Sequence, residues 1–89
     1  MFEITYHRKV ANDVSAISSF HKNALEGAIE EKLTRSPEFF GKPLQFSLKG
    51  LRSLRVGDYR IVFQMKKTEV FIILIAHRSV VYKLINKRI

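Results

Sequence analysis

The chain has 89 residues and a mass of 10.4 kDa, room for one small domain and not for two independent cores. Its hydrophobic fraction of 46% supports a packed interior and excludes wholesale disorder. The net charge of +8 lies entirely in the second half: residues 1–46 balance six Lys/Arg with six Asp/Glu, whereas residues 47–89 set ten Lys/Arg against Asp58 and Glu69. That asymmetry points to an anionic partner held by one part of the fold.

In chain order, Phe2 to His7 alternates apolar and polar residues and predicts a strand with Phe2, Ile4 and Tyr6 inward. Val10, Val14 and Ile17 follow at helical spacing, and Ser18-Ser19 breaks that helix. A second helix is predicted from Phe20 to Arg35, with Leu25, Ala28, Ile29 and Leu33 in one stripe and Glu26, Glu30 and Glu31 in water. Ser36-Pro37 ends it, because the residue before a proline is biased away from helix. Residues 36–50, punctuated by Pro37, Gly41, Pro43 and Gly50, read as a connector anchored by Phe39, Phe40, Leu44 and Phe46. Three strands come next, Leu51–Val56, Tyr59–Met65 and Glu69–His77. The last holds the run Val70–Ala76, apolar on both faces and so expected in a covered, central position. Val80 to Lys87 reads as a short closing helix. The prediction is one α+β domain over 1–89: strand, helical hairpin, three-stranded antiparallel meander, C-terminal helix.

Several chemistries are excluded. There is no cysteine, so disulfides and thiolate-bound metals are absent, and His7, His21 and His77 have no metal-ligand spacing. The longest apolar run is far shorter than the roughly 20 residues of a membrane-spanning helix. The start lacks a basic segment followed by an apolar one, so a cytoplasmic location is the expectation. No cofactor is expected.

The informative segment is Arg55-Val56-Gly57-Asp58-Tyr59-Arg60. A two-residue turn at Gly57-Asp58, with glycine supplying a positive φ, sets Val56 opposite Tyr59 and Arg55 opposite Arg60. Leu54, Val56, Tyr59, Ile61, Phe63 and Met65 then share the core face, and Ser53, Arg55, Arg60, Val62 and Gln64 the other. Two arginines across from each other repel, and guanidinium groups make forked bonds to phosphate. A tight turn at Lys67-Thr68 would place Arg60 opposite Ile75, with His77 on the same face one step along. Arg78 follows, and Tyr82 comes four residues later, so Arg55, Arg60, His77, Arg78 and Tyr82 converge at one end of the sheet. Such a set suits metal-free cleavage of RNA, in which a base takes the 2′-hydroxyl proton, an acid protonates the leaving 5′-oxygen and cations stabilise the phosphorane. Arginine supplies the cations, and His77 and Tyr82 are the proton-transfer candidates, with the roles of acid and base unassigned between them.

The stretches Leu48-Lys49-Gly50, Leu54-Arg55-Val56-Gly57-Asp58-Tyr59-Arg60-Ile61-Val62-Phe63 and His77-Arg78-Ser79-Val80-Val81-Tyr82 resemble the RelE/ParE superfamily of bacterial and archaeal toxins. The resemblance implies the toxin half of a type II toxin–antitoxin module and a cognate antitoxin as partner. In the RelE branch, the toxin is an endoribonuclease that cleaves messenger RNA in the ribosomal A site; in the ParE branch, it inhibits DNA gyrase without nuclease activity. It further implies that Arg60 and Arg78 stabilise the scissile phosphate, that Arg55 orients the backbone, and that His77 and Tyr82 move protons or stack on a base. Ser53 departs from the pattern, standing where some RelE members have a catalytic lysine. Lys49, Arg52, Lys83, Lys87 and Arg88 are the expected grip on ribosomal RNA. A toxin fold without activity, serving as a binding partner, is a third possibility.

Overall fold

The computed structural model describes residues 1–44 and 50–89. The sheet is mixed and five-stranded, in the spatial order β1 (Glu3–Tyr6), β5 (Glu69–His77), β4 (Tyr59–Lys66), β3 (Arg52–Val56), β2 (Lys42–Pro43). The first strand, β1 (Glu3–Tyr6), runs parallel to β5 (Glu69–His77) over Glu69 to Ile72, so a chain-crossing pair lies at one side of the meander. Phe2 and Ile4 lean on the core as expected, but the Tyr6 ring is 53% exposed, a correction to its inward placement. It borders an open groove beside the helices instead of packing beneath them.

The helical hairpin is α1 (Val10–Ser15) and α2 (Ser19–Ala28), the latter continued by a π-helical turn over Ile29–Leu33. Ser18 is extended, with φ −64° and ψ 156°, and makes the predicted break. Leu25, Ala28, Ile29 and Leu33 are all buried, each Leu or Ile stabilising by roughly 1.5–3 kcal/mol relative to exposure.

The connector has more structure than its punctuation suggested. Pro37–Phe40 forms a one-turn helix, α3, which proline can open because its φ is already helical. Lys42–Pro43 forms a short edge strand, β2, on Ser53 and Arg52 of β3 (Arg52–Val56). Consecutive residues on a helix point about 100° apart. Phe40 therefore turns to the core while Phe39 is 73% exposed, against the expectation that both anchor the loop. Leu44 is buried as expected, and Phe46 lies outside the described residues.

Strands β3 and β4 (Tyr59–Lys66) have the predicted register, Val56 opposite Tyr59 and Arg55 opposite Arg60, with Gly57 at φ 61°. The β4–β5 register is not the one predicted. It starts as expected, Lys66 opposite Glu69 through Phe63 opposite Ile72, but a bulge between Val62 and Phe63 then skips Ile73. Val62 consequently meets Leu74, Arg60 meets Ala76 and Tyr59 meets His77. A one-residue slip sends every later side chain to the opposite face.

Each sheet face has its own core. On one, Leu54, Ile61, Phe63, Val70, Ile72 and Ile75 pack against the hairpin. On the other, Val62, Ile73, Leu74 and Ala76 pack under Val81 and Ile85 of the closing helix α4 (Val81–Arg88). β5 is thus covered on both faces, as its continuous apolar run required.

Candidate functional site

The site lies where the β3–β4 turn meets the end of β5. Gly57 permits the tight turn, and the Arg78 backbone N–H donates to the Asp58 carbonyl oxygen at 2.8 Å, which ties the last strand to that turn. Arg55 and Arg60 face each other in register, yet their guanidinium groups diverge. Arg60 Nη1 donates to Ser53 Oγ at 3.3 Å, and Arg55 Nε donates to the Gly57 carbonyl oxygen at 3.3 Å. Splaying reduces the repulsion a direct pair would suffer. Among the described residues neither guanidinium has a carboxylate partner. Ser53, 4% exposed, serves as an acceptor for Arg60.

Arg78 does have an acid beside it: its Nε lies 3.8 Å from Asp58 Oδ1, with the two side chains 58% and 61% exposed. An ion pair that open contributes about 0–1 kcal/mol.

His77 is placed differently from expectation. The bulge sets it opposite Tyr59, on the hairpin face, whereas Arg60 points to the α4 face. Its ring stands edge-on to Tyr59 at 5.6 Å. The Ser79 backbone N–H donates to His77 Nδ1 at 3.1 Å, and Ser79 Oγ lies 2.8 Å from the same nitrogen. With Nδ1 accepting, the neutral imidazole carries its proton on Nε2 and presents a donor. Tyr82 is 42% exposed in the first turn of α4. Its neighbour Val81 packs with Val62 and Ala76, so Tyr82 rises on the Arg60 side of the sheet. The rim therefore has Arg60 and Tyr82 toward the α4 face, His77 toward the hairpin, Arg78 between, and Arg55 beside α2, where it lines a hollow with Ala24, Gly27 and Ala28.

The wider basic set divides. Lys83 and Lys87 are exposed on α4. Lys49 lies outside the described residues. Arg52 turns inward and donates from Nη2 to the Glu38 carbonyl oxygen at 3.2 Å. Arg88 is committed elsewhere: Nη2 meets Asp13 Oδ1 at 2.8 Å, while Nη1 meets Asp13 Oδ2 at 2.9 Å and the Ile73 carbonyl oxygen at 2.8 Å. Asp13 Oδ2 also accepts the Ile75 N–H at 3.1 Å. Arg88 is thus held within the fold, while Arg52 is half-buried with a single bond to the connector. No sequence signal marks a pair 75 positions apart, nor the approach of His21 to Tyr59 at 5.2 Å.

A separate groove of about 590 Å³ opens between β1 and the hairpin. Val10, Val14, Leu25 and Ile29 floor it, with Arg8 and Lys22 as cationic and Glu26 and Glu30 as anionic lining residues. Burial first, then Glu26 and Glu30, push the Tyr6 phenol above its usual pKa there. Among the described residues no group of His, Asp and Glu is arranged to hold a metal, and no helix is long and apolar enough to cross a membrane.

A mixed sheet with a helical hairpin on one face, a terminal helix on the other and a cationic rim makes up a small α+β domain. The structure superposes on the toxin–antitoxin complex RelBE2 of Mycobacterium tuberculosis with a TM-score of 0.78 and 26% identity, covering 86% of this chain and 98% of that one. YafQ of E. coli shares the fold at a TM-score of 0.66 and 20% identity, covering 92% and 99% of the two chains. A family model described as the ParE toxin of type II toxin–antitoxin system, parDE, matches residues 4–82, and the chain belongs to that family. It is also similar to Toxin RelE of Mycobacterium tuberculosis, 44% identical over 54 residues. That match covers 58% of this chain and 56% of the relative, so the chain spans little more than half the relative's length.

Proposed function

We propose that this protein is the toxin of a type II toxin–antitoxin pair, an endoribonuclease that cuts messenger RNA in the ribosomal A site without a metal. The observation that carries this reading is the rim itself: Arg55 and Arg60 without a carboxylate partner among the described residues, Arg78 in an open and weak pair, a histidine donor and an exposed tyrosine at one sheet end. Arg60, steadied by Ser53, and Arg78 bind the scissile phosphate and stabilise the phosphorane as the 2′-oxygen attacks. Arg55 orients the backbone. His77 presents Nε2–H to a phosphate oxygen or to the leaving 5′-oxygen, since its other nitrogen is occupied by Ser79. Tyr82, on the Arg60 side, moves a proton or stacks on a base. The products are a 2′,3′-cyclic phosphate and a 5′-hydroxyl, and Lys83 and Lys87 supply sequence-independent contacts to ribosomal RNA. The likeness to Toxin RelE and to a toxin–antitoxin complex supports this reading and an antitoxin as partner.

Arg60→Ala and Tyr82→Ala should each lower cleavage by at least about 100-fold, read by primer extension on translated messages, with circular dichroism unchanged. Unchanged cleavage in both variants overturns the assignment. A second reading is favoured by the family model being that of ParE: a non-nuclease toxin directed at DNA gyrase. It requires inhibition in a supercoiling assay with messages left intact.

A further inference from the structure

Four ring side chains run in contact from the cationic rim onto the helical hairpin. His77 lies 5.6 Å from Tyr59, Tyr59 lies 5.2 Å from His21, and His21 lies 5.3 Å from Phe20, all between ring centroids. Three elements contribute, β5, β4 and the first turn of α2. The series begins beside Arg78 and ends on a phenylalanine that is 78% exposed. Packing does not account for that last ring. The core face of α2 is supplied by Leu25 and Ala28, while Phe20 stays in water and touches His21 edge-on. A large exposed apolar ring is informative when it continues a built arrangement.

Unpaired nucleic acid is held by two features together: cations that track the backbone, and aromatic rings on which successive bases stack whatever their sequence. Both are present in one continuous surface. The cations are Arg78 at the rim and Arg55, which lies beside Asn23, Ala24 and Gly27 of α2; the carboxylate at the rim is Asp58, in its weak pair with Arg78. We propose that the His77–Tyr59–His21–Phe20 series is a stacking track for the unpaired nucleotides that flank the phosphate at the rim, with Phe20 receiving the outermost base. The inference rests on the RNA reading of the site and extends it to a substrate-binding surface on the hairpin. A protein partner docked on Phe20 is the competing occupant, and the continuity of the rings with the cationic rim favours RNA.

The test uses the full chain and a fluorescently labelled, 2′-O-methylated single-stranded RNA of about eight nucleotides, which binds without being cut. Phe20→Ala should weaken binding about 5- to 50-fold, and Phe20→Trp should retain or tighten it. The slope of log affinity against log salt should not change in Phe20→Ala, because stacking releases no counterion, whereas Arg78→Ala should lower it by about one phosphate contact. In reconstituted translation, Phe20→Ala should reduce kcat/KM through KM. Wild-type affinity in Phe20→Ala or in Phe20→Leu overturns the track, as does a variant that loses antitoxin binding alone. Phe20-dependent RNA binding with intact messages keeps the track and removes the nuclease reading. Intact cleavage with Phe20-independent binding removes the track and keeps the nuclease.

Discussion

Arg60 illustrates how a single side chain is prepared. Directly opposite Arg55, it would lose freedom and gain repulsion if both guanidinium groups pointed the same way; instead one turns to Ser53 and the other to the turn carbonyl of Gly57. The sequence placed these two arginines together because a two-residue turn dictates register, and it gave the face but not the direction each side chain takes along it. His7 carries a different consequence. Its Nδ1 accepts the Lys9 N–H at 3.1 Å, and its pKa is lowered from 6.5 by desolvation first, then by Arg88, Arg8 and Lys9 against the pull of Asp13. The unfolded chain therefore binds that proton more readily than the folded one. The stabilisation is present above about pH 6.5 and is lost as pH falls through the folded value. His7→Asn, which keeps an acceptor for Lys9 and does not titrate, should show a smaller drop in urea midpoint between about pH 7.5 and about pH 5.5 than the wild type.

At the scale of elements, α4 is fastened at its far end. β1 pairs only the first part of β5, leaving later backbone groups of β5 without a strand on that side. Asp13 of α1 accepts the Ile75 N–H, and Arg88 of α4 donates to the Ile73 carbonyl oxygen, next to the bulge. The two side chains, 10% and 12% exposed, close on each other through two bonds. Burial decides the magnitude. Removing one partner of so enclosed a pair costs about 3–5 kcal/mol, whereas the open Arg78–Asp58 pair contributes about 0–1 kcal/mol. Arg88→Met should lower the urea midpoint accordingly, and Asp13→Leu added to it should recover part of the loss, since no carboxylate is then left buried alone. The bulge that creates this arrangement also moves His77. An extra residue in a uniformly apolar run leaves no periodicity to betray it, because Ile72, Ile73 and Leu74 suit either face. The Gly57 turn was legible for the opposite reason: glycine, aspartate and alternating neighbours all agree on one register. The turn at Lys67, which takes φ 50° without being glycine, carried its length correctly but not the register beyond the bulge.

For the whole molecule, the +8 charge is divided between two uses. Arg88 and Arg52 are turned inward to hold elements together, while Arg55, Arg60, Arg78, Lys83 and Lys87 remain available to an anionic partner. On the proposed reading, an acidic antitoxin is drawn to this surface by long-range attraction. Its association rate should then fall roughly tenfold or more as ionic strength rises from about 0.01 M to about 0.5 M, with dissociation changing far less. Stopped-flow mixing reads both rates, and a salt-independent association rate contradicts the steering. The sequence by itself determined the α+β order of elements, the hairpin stripe, the Arg55–Arg60 pairing and the placement of all excess charge in the second half. These follow from periodicity and turn chemistry, which act between near neighbours. Only the tertiary structure decided which arginines face solvent, which face of the sheet holds His77, and which rings meet at the rim. Those outcomes depend on a single skipped residue and on partners up to 75 positions away, where no local pattern reaches.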